Sequence, residues 1–541
     1  MVTLTEPASG GERTPDRGGA QGSNWGSITP ALLDRLKEAI PLAGDETGTT
    51  SVEIPFTGEE LGRVPRCTAA SVRKAVARSR AAQKSWAGRS FGERAAVFIR
   101  LHDLILDQQD QILDLIQLET GKARKHAFEE VADVALVARY YAHHGERHIG
   151  PQRRRGVLPG LTSAWEYHLP RGMVGIIAPW NYPLTLVVSD AIPALMAGNG
   201  VVLKPDGQTP FTALWAVELL RAAGLPFDLF QVVTGEGAEL GGPMIDEVDF
   251  VTFTGSTRTG RIVARQAAER LIGCSLELGG KNAAIVLEDV DLDEAVEGLA
   301  RGCFTNTGQL CISTERLYVH EDIYNRFVTK LVARTADLEL GANLDYEVDL
   351  GSLTSQQKLE TVESHVHDAV EKGARVLTGG RRRPDLGPYF YEPTILERVT
   401  PEMTVCAEET FGPVVSVYSF RSVDEAIAKA NDSRYGLNAS IWTKHTSAAV
   451  KLAAGIQAGT VNVNDAYSAT WGSVDLPMGG FKESGIGRRH GAEGILKYTE
   501  SQSVAVQKGM ALAAPPALGE EKFSSLMSGA LRLLRRVPGL R

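Results

Sequence analysis

The 541-residue chain has little cysteine: Cys67, Cys274, Cys303, Cys311 and Cys406 are odd in number, scattered, and without the paired C-x-x-C spacing of a zinc site. A disulfide framework is therefore not expected, and a reducing cytoplasm is the simple reading. No metal site is expected either. No apolar run approaches the roughly 18 residues of a membrane span, and the first residues lack the basic and apolar regions of a secretory signal. Positive charge is not in excess, since the net charge of -9 and pI near 5.8 argue against a nucleic-acid surface. The pair Gly121-Lys122 is no phosphate loop, because no Gly lies five residues upstream and no Ser or Thr follows; it reads as a helix stop.

What is present is ordinary for a soluble globular chain: 43% hydrophobic and 23% charged residues, enough for a sizeable core divided among several units. Residues 1–26 are rich in Gly, Pro, Ser and Thr and read as a disordered tail. Thr29 then offers an N-cap with Pro30 at the first helical position. Val52 to Gly62 reads as a hairpin, and from Ala69 to about Ala142 the spacing is helical, with long segments at Ser71 to Ala87 and Phe91 to Glu119. The stretch Gly156 to His168 reads as a hairpin arm. From Met173 the pattern changes to short apolar runs at Met173, Gly200, Leu229 and Phe250, separated by helical stretches. Such alternation means βαβ units and a buried parallel sheet, with ligands beyond the carboxyl ends of the strands.

The residues that carry chemistry fall there. Pro179-Trp-Asn-Tyr-Pro183 follows the first strand, and Asn181 is either an Asx turn or an amide held outward by two prolines. Lys204, Asp206 and Gly207 follow the second, where the lysine is a ligand or a solvated loop residue. Gly255-Ser256 opens a helix running to about Glu269, the arrangement that binds phosphate, although its G-x-x-x-x-G spacing is a weak dinucleotide signal. Glu277 before a paired glycine is a strand-end charge or a general base in an apolar setting that raises its pKa. Cys311 lies in Phe304 to Ser313 among small and amide residues. It is a buried small hydrophobe or a nucleophile, in the latter case favoured as thiolate by a turn running into a helix N-terminus. A second α/β unit follows.

Six motifs in order, Pro179-Trp-Asn-Tyr-Pro183, Phe253-Thr-Gly-Ser256, Glu277-Leu-Gly-Gly-Lys281, Asn306-x-Gly-Gln-x-Cys311, Glu408-Glu-Thr-Phe-Gly-Pro413 and Gly479-Gly-Phe-Lys-Glu-Ser-Gly485, make the chain resemble an NAD(P)-dependent aldehyde dehydrogenase from roughly Pro55 to Val506. Lys-Pro-Asp at 204, Gly-Gln-Leu-Cys-Ile-Ser at 308 and Gly-Arg-Arg-His-Gly at 487 further resemble the actinobacterial NADP-dependent succinate-semialdehyde dehydrogenases. The resemblance implies that Cys311 attacks the aldehyde, that Asn181 and the Cys311 N–H hold the oxyanion, and that Glu277 activates the water that releases the acid. It also implies that Lys204 and Glu409 bind ribose hydroxyls, Gly255 and Ser256 face the pyrophosphate, Phe411 positions the nicotinamide, and Trp180 lines the cofactor cleft. Where NAD-preferring relatives often place a Glu this chain has Gly207, so NADP is expected to be accepted, with NAD as a second cofactor.

The substrate implied is succinate semialdehyde. Two arginines hold the distal carboxylate in well-studied members, and here those positions are Ser189 and Thr305, so Ser473, the Arg488-Arg489 pair, or an uncharged aldehyde are the alternatives. A CoA-acylating enzyme and a non-catalytic homologue are further ones. The expected fold is α/β: a Rossmann-like cofactor domain at 27–145 and 169–276, a catalytic α/β domain at 277–490, and a small β oligomerisation arm at 146–168 and 491–508 that makes a homodimer or homotetramer. In that arm Leu496 to Val506 is an edge strand. Residues 509–541 form an extension with a short amphipathic helix at Phe523 to Leu534, read as docked on its own or a neighbouring subunit in preference to a membrane surface.

Overall fold

A computed structural model describes residues 25–46, 48–157, 161–508 and 513–535; the expected N-terminal tail lies almost wholly outside them. Helix Pro30–Lys37 starts as expected, with Thr29 Oγ1 accepting the Leu32 N–H at 3.2 Å and proline at the first position. The hairpin follows as Thr49–Ile54 and Glu59–Pro65. The helical region comprises Ala69–Ala87, Phe91–Asp107, Gln109–Thr120 and Arg124–Ile149. One helix had been expected over Phe91 to Glu119. The chain breaks it at Gln108, whose φ of -106° and ψ of 18° leave the helical region, while its unbroken apolar periodicity conceals the step. Gly121 stops the next helix in the left-handed region at φ 75°, as its type requires.

Two sheets organise the rest, each parallel but for one edge strand. The first is ordered Gly485–Ile486, Gly273–Glu277, Phe250–Thr254, Met173–Ile177, Gly200–Lys204, Phe230–Val232, with only the Gly485–Ile486 edge antiparallel. Its central strands are buried throughout, which is why they read as continuous Val, Ile and Phe runs. The second is ordered Arg375–Thr378, Thr394–Glu397, Val414–Phe420, Thr314–His320, Asn282–Val286, Asn438–Trp442, Thr460–Val463. The chain passes from one sheet to the other at Glu277 to Asn282 and returns at Gly485, so the strand ends of both converge on that crossing.

A third sheet is antiparallel, with Thr162–Pro170 between Gln152–Arg154 and Thr499–Gln507. The arm is thus three-stranded, and its last strand begins at Thr499 because Gly491–Leu496 is a helix. The C-terminal helix spans Glu520–Leu534, starting before Phe523, and buries none of its residues. Docking on its own subunit is therefore not observed, and Leu526, Leu531 and Leu533 stay exposed.

Candidate functional site

Cys311 sits at the end of a constrained turn. Helix Leu292–Phe304 gives way at Thr305 to a single 3-10 turn, Thr305–Gly308, in which Asn306 and Thr307 have φ of 50° and 55°. Left-handed backbone at a non-glycine residue costs roughly 1–3 kcal/mol and persists where the surroundings dictate it. They do so here. The Asn306 N–H donates to His126 Nδ1 at 3.1 Å, its amide donates to Asn181 O and Gln309 O, Thr307 Oγ1 donates to Gly351 O, and Gln309 Oε1 accepts from Thr354 N–H at 3.0 Å. A Cβ on Gly308 would lie 2.0 Å from Gly412 O, so no other residue fits.

The sequence reading placed Cys311 before a helix, and the structure corrects this. The residues after it are β-formers, and strand Thr314–His320 begins three positions later, so no helix starts at Cys311. Cys311 is half-buried, and burial pushes its thiol up to about 12. The resting residue is a thiol that needs a base.

Asn181 is buried and reaches the same loop: its amide donates to Gln309 O at 3.1 Å, leaving its second amide hydrogen available. Its own carbonyl accepts from Lys122 Nζ at 2.7 Å. Lys122 is fully buried, paired with Glu130 at 2.6 Å and 3.8 Å from the Tyr182 ring centroid. Glu130 in turn accepts the N–H groups of Leu184 and Thr185 at the start of helix Thr185–Met196. The sequence reading did not single out Lys122, Glu130, His126 or Gln309 as site residues, since Lys122 stands among charged neighbours from Glu119 to Glu130 and carries no local signal of its burial.

Glu277 ends strand Gly273–Glu277, 5% exposed, and burial raises its carboxyl to about 7; its Oε1 has no hydrogen-bond partner among the described residues. The paired glycines after it admit Glu409. A Cβ on Gly279 would lie 2.2 Å from Glu409 Oε2, and the Gly280 N–H donates to Glu409 Oε1 at 2.9 Å. Burial, with Glu315 adding repulsion, raises Glu409 to about 7.

Five of the cofactor candidates, Trp180, Lys204, Gly207, Gly255 and Ser256, line one cavity of about 830 Å3. Ser256 caps helix Thr257–Glu269 and accepts the Thr259 N–H. Lys204 Nζ is held by Gly235 O at 3.2 Å, and burial lowers its pKa. A side chain at Gly207 would have room, the nearest atom to a Cβ being Thr50 Cγ2 at 4.0 Å. Asp206 and Glu236 share the cavity, so the wall carries acidic as well as basic groups. Glu409 borders an adjoining cavity that shares Ser256. Phe411 stands edge-on to Trp180, with ring centroids 5.6 Å apart, and its N–H donates to Glu315 Oε1. Among the described residues no group of three or more His, Cys, Asp or Glu could hold a metal ion.

Ser189 is tied to the buried Asp133, and Thr305 is linked through Tyr467 to the half-buried Glu129. Ser189 Oγ donates to Asp133 Oδ2 at 2.5 Å, and the Tyr467 hydroxyl lies 3.0 Å from Thr305 Oγ1 and 2.8 Å from Glu129 Oε1. Neither alternative anchor is free. Ser473 Oγ donates to Ala469 O, and Arg489 forms a two-pronged pair with Asp190, while Arg488 donates to the carbonyls of Gly480 and Gly487.

The sequence pattern of the Aldehyde dehydrogenase family matches residues 42–504. The chain is 49% identical over 513 residues to a Mycolicibacterium smegmatis protein named "Putative succinate-semialdehyde dehydrogenase", NADP(+), covering 94% of this chain and 99% of that one. A 3-sulfolactaldehyde dehydrogenase of Pseudomonas putida is 36% identical, covering 88% and 98%. Among solved structures, an NAD+ complex of a Bacillus cereus aldehyde dehydrogenase superposes with a TM-score of 0.81 at 34% identity, covering 89% of this chain and 99% of that one. An Escherichia coli NADP-dependent enzyme gives 0.82 at 35%, covering 85% and 95%.

Proposed function

The chain belongs to the aldehyde dehydrogenase family, and we propose that it oxidises succinate semialdehyde to succinate with NADP+, through a covalent intermediate on Cys311. The observation that carries the mechanism is the meeting of Asn181 with the Cys311 loop beside a buried carboxyl that titrates near neutrality.

Glu277 takes the thiol proton as Sγ bonds to the aldehyde carbon. The second Asn181 amide hydrogen and the Cys311 N–H hold the oxyanion; loss of one such donor typically costs about a hundredfold or more. Collapse of the thiohemiacetal with loss of hydride leaves a thioester, the nicotinamide cofactor supplying the hydride acceptor when bound. Glu277, having passed its proton to solvent, then deprotonates the attacking water, and the C–S bond breaks to release the acid. The cavity fits a dinucleotide: a capped helix N-terminus for phosphate, a buried lysine with one carbonyl partner for ribose, and open space at Gly207. That space supports NADP+ acceptance with NAD+ as a second acceptor, and Trp180, Glu409 and Phe411 complete the cofactor set.

One observation favours a second substrate reading. Ser189 and Thr305 lead to Asp133 and Glu129, which disfavour a second carboxylate, so a neutral aldehyde is the alternative. We assign the cofactor domain to 27–145 and 169–276, the catalytic domain to 277–490 and the homodimer or homotetramer contact to the three-stranded arm, on the support of strand Thr499–Gln507 standing at the edge of its sheet among the described residues. A cytoplasmic location draws its support from the five unpaired cysteines. A reduction screen with NADP+ and NAD+ over succinate semialdehyde, glutarate semialdehyde and neutral aliphatic and aromatic aldehydes tests the reading. The expected result is highest kcat/KM with succinate semialdehyde and NADP+; a tenfold preference for NAD+, about 1.4 kcal/mol, rejects the cofactor, and preference for a neutral aldehyde rejects the substrate.

A further inference from the structure

Position 489 carries an arginine that the mechanism above leaves unused. It is buried. The backbones of Arg489 and Met478 exchange two hydrogen bonds, of 2.8 and 2.6 Å, and the preceding strand Gly485–Ile486 runs antiparallel to the end of Gly273–Glu277, with Gly485 opposite Glu277. The chain thereby brings residue 489 to the strand end that bears the base. Asp190 Oδ1 accepts from Arg489 Nε at 3.1 Å and Oδ2 from Nη2 at 2.7 Å, and Nη2 also lies 2.5 Å from Thr254 Oγ1. Thr254 is the register partner of Glu277 in the neighbouring parallel strand. A guanidinium gripped on two sides cannot swing away, and it cannot lose its charge.

The charges around this point are few. Cys311 is faced by Arg489, Glu409 and Glu277; Glu277 is faced by Arg489, Lys497, Arg488 and Asp190; and His490, buried beside them, is held neutral by desolvation. Arg489 exerts the strongest favourable charge effect on both the thiol and the base. We propose that Arg489, clamped by Asp190 and Thr254, is a positioning residue whose fixed positive charge favours the anionic forms of Cys311 and Glu277 and so sets the pH range in which they react. This inference rests on Cys311 and Glu277 being nucleophile and base.

The test uses the full-length enzyme without cofactor. Iodoacetamide alkylation of Cys311 is followed by peptide mass spectrometry across pH, alongside the pH profile of kcat/KM. Removing an opposite charge at close range typically moves a pKa by about one unit or more, so Arg489→Gln should shift both profiles upward by about one pH unit and slow alkylation at pH 8 roughly tenfold. Arg489→Lys, which keeps the charge, should leave both within about 0.3 unit. Asp190→Asn removes the opposing negative charge and should move the profiles the other way. A purely structural role would move the Gln and Asn variants in the same direction, and that result, or an unmoved profile in folded Arg489→Gln, overturns the proposal. If the Gln variant yields no folded protein, the Lys and Asn pair decides alone: an unshifted Asn profile overturns it. Activity that survives full alkylation of Cys311 sinks the catalytic reading instead, so the two failures are distinguishable.

Discussion

Replacing Glu277 with glutamine should make the protein more stable at alkaline pH while disabling it. Burial raises this carboxyl from its ordinary 4.5 to about 7 in the folded chain. The folded value lies above the unfolded one, so ionisation opposes folding: the cost is absent well below 4.5, grows through the interval, and is constant above 7. The span is worth roughly 3 kcal/mol at about 1.4 kcal/mol per pH unit, and below about 1 kcal/mol of it is felt at pH 5. With 5% of the residue exposed, solvent screening removes little. For a chain this long a cost of that size corresponds to about 2–3 °C if it melts as one unit. Thermal melts of the wild type and Glu277→Gln at equal protein concentration, at pH 5 and pH 8, measure it. Any packing defect from the amide enters at both pH values, so the difference between the two shifts isolates the charge. The Gln variant should gain about 2 °C at pH 8 relative to its position at pH 5; an equal shift at both refutes the argument that Glu277 ionises at a cost. Its kcat/KM should fall by roughly 10^2 to 10^4.

Asn181→Ala should lower kcat about a hundredfold with a small change in KM, since the amide is proposed to act on the developing oxyanion; a change confined to KM contradicts that role. In the wild type, kcat/KM should rise with pH through about 7 as Glu277 becomes available, and a flat profile from pH 6 to 8 contradicts it. Gly207→Glu should turn cofactor preference toward NAD+ by tenfold or more, because the new carboxylate has room beside the ribose site and repels a 2′-phosphate; unchanged Michaelis constants for both cofactors refute this. Lys122→Met should cost activity and folded protein together, since it leaves Glu130 buried without its cation; a fully active, stable variant contradicts the support assigned to that pair.

The residues proposed to react stand out in the sequence because their signals are local. A cysteine among small and amide residues, a carboxylate before Gly-Gly and an asparagine between prolines each carry their own signal, and the alternation after Met173 disclosed the parallel sheet on which they stand. What orients them was not legible. Lys122 lies 59 positions from the Asn181 carbonyl it contacts, and Arg489 lies 299 from Asp190, so neither pairing has a local trace. The helix expected after Cys311 failed for a related reason: the turn's geometry comes from contacts with His126, Gly351 and Thr354, while the residues after Ser313 belong to a strand. The break at Gln108 was hidden by apolar spacing that continues across it.

The central claim is a covalent acyl intermediate on Cys311. Rapid acid quenching of the wild type in the first turnover with succinate semialdehyde and NADP+, followed by peptide mass spectrometry, tests it most directly. The account predicts an acyl adduct on Cys311 and, for Cys311→Ala, neither an adduct nor NADPH formation. NADPH production by Cys311→Ala, or an adduct on any other residue, would contradict it.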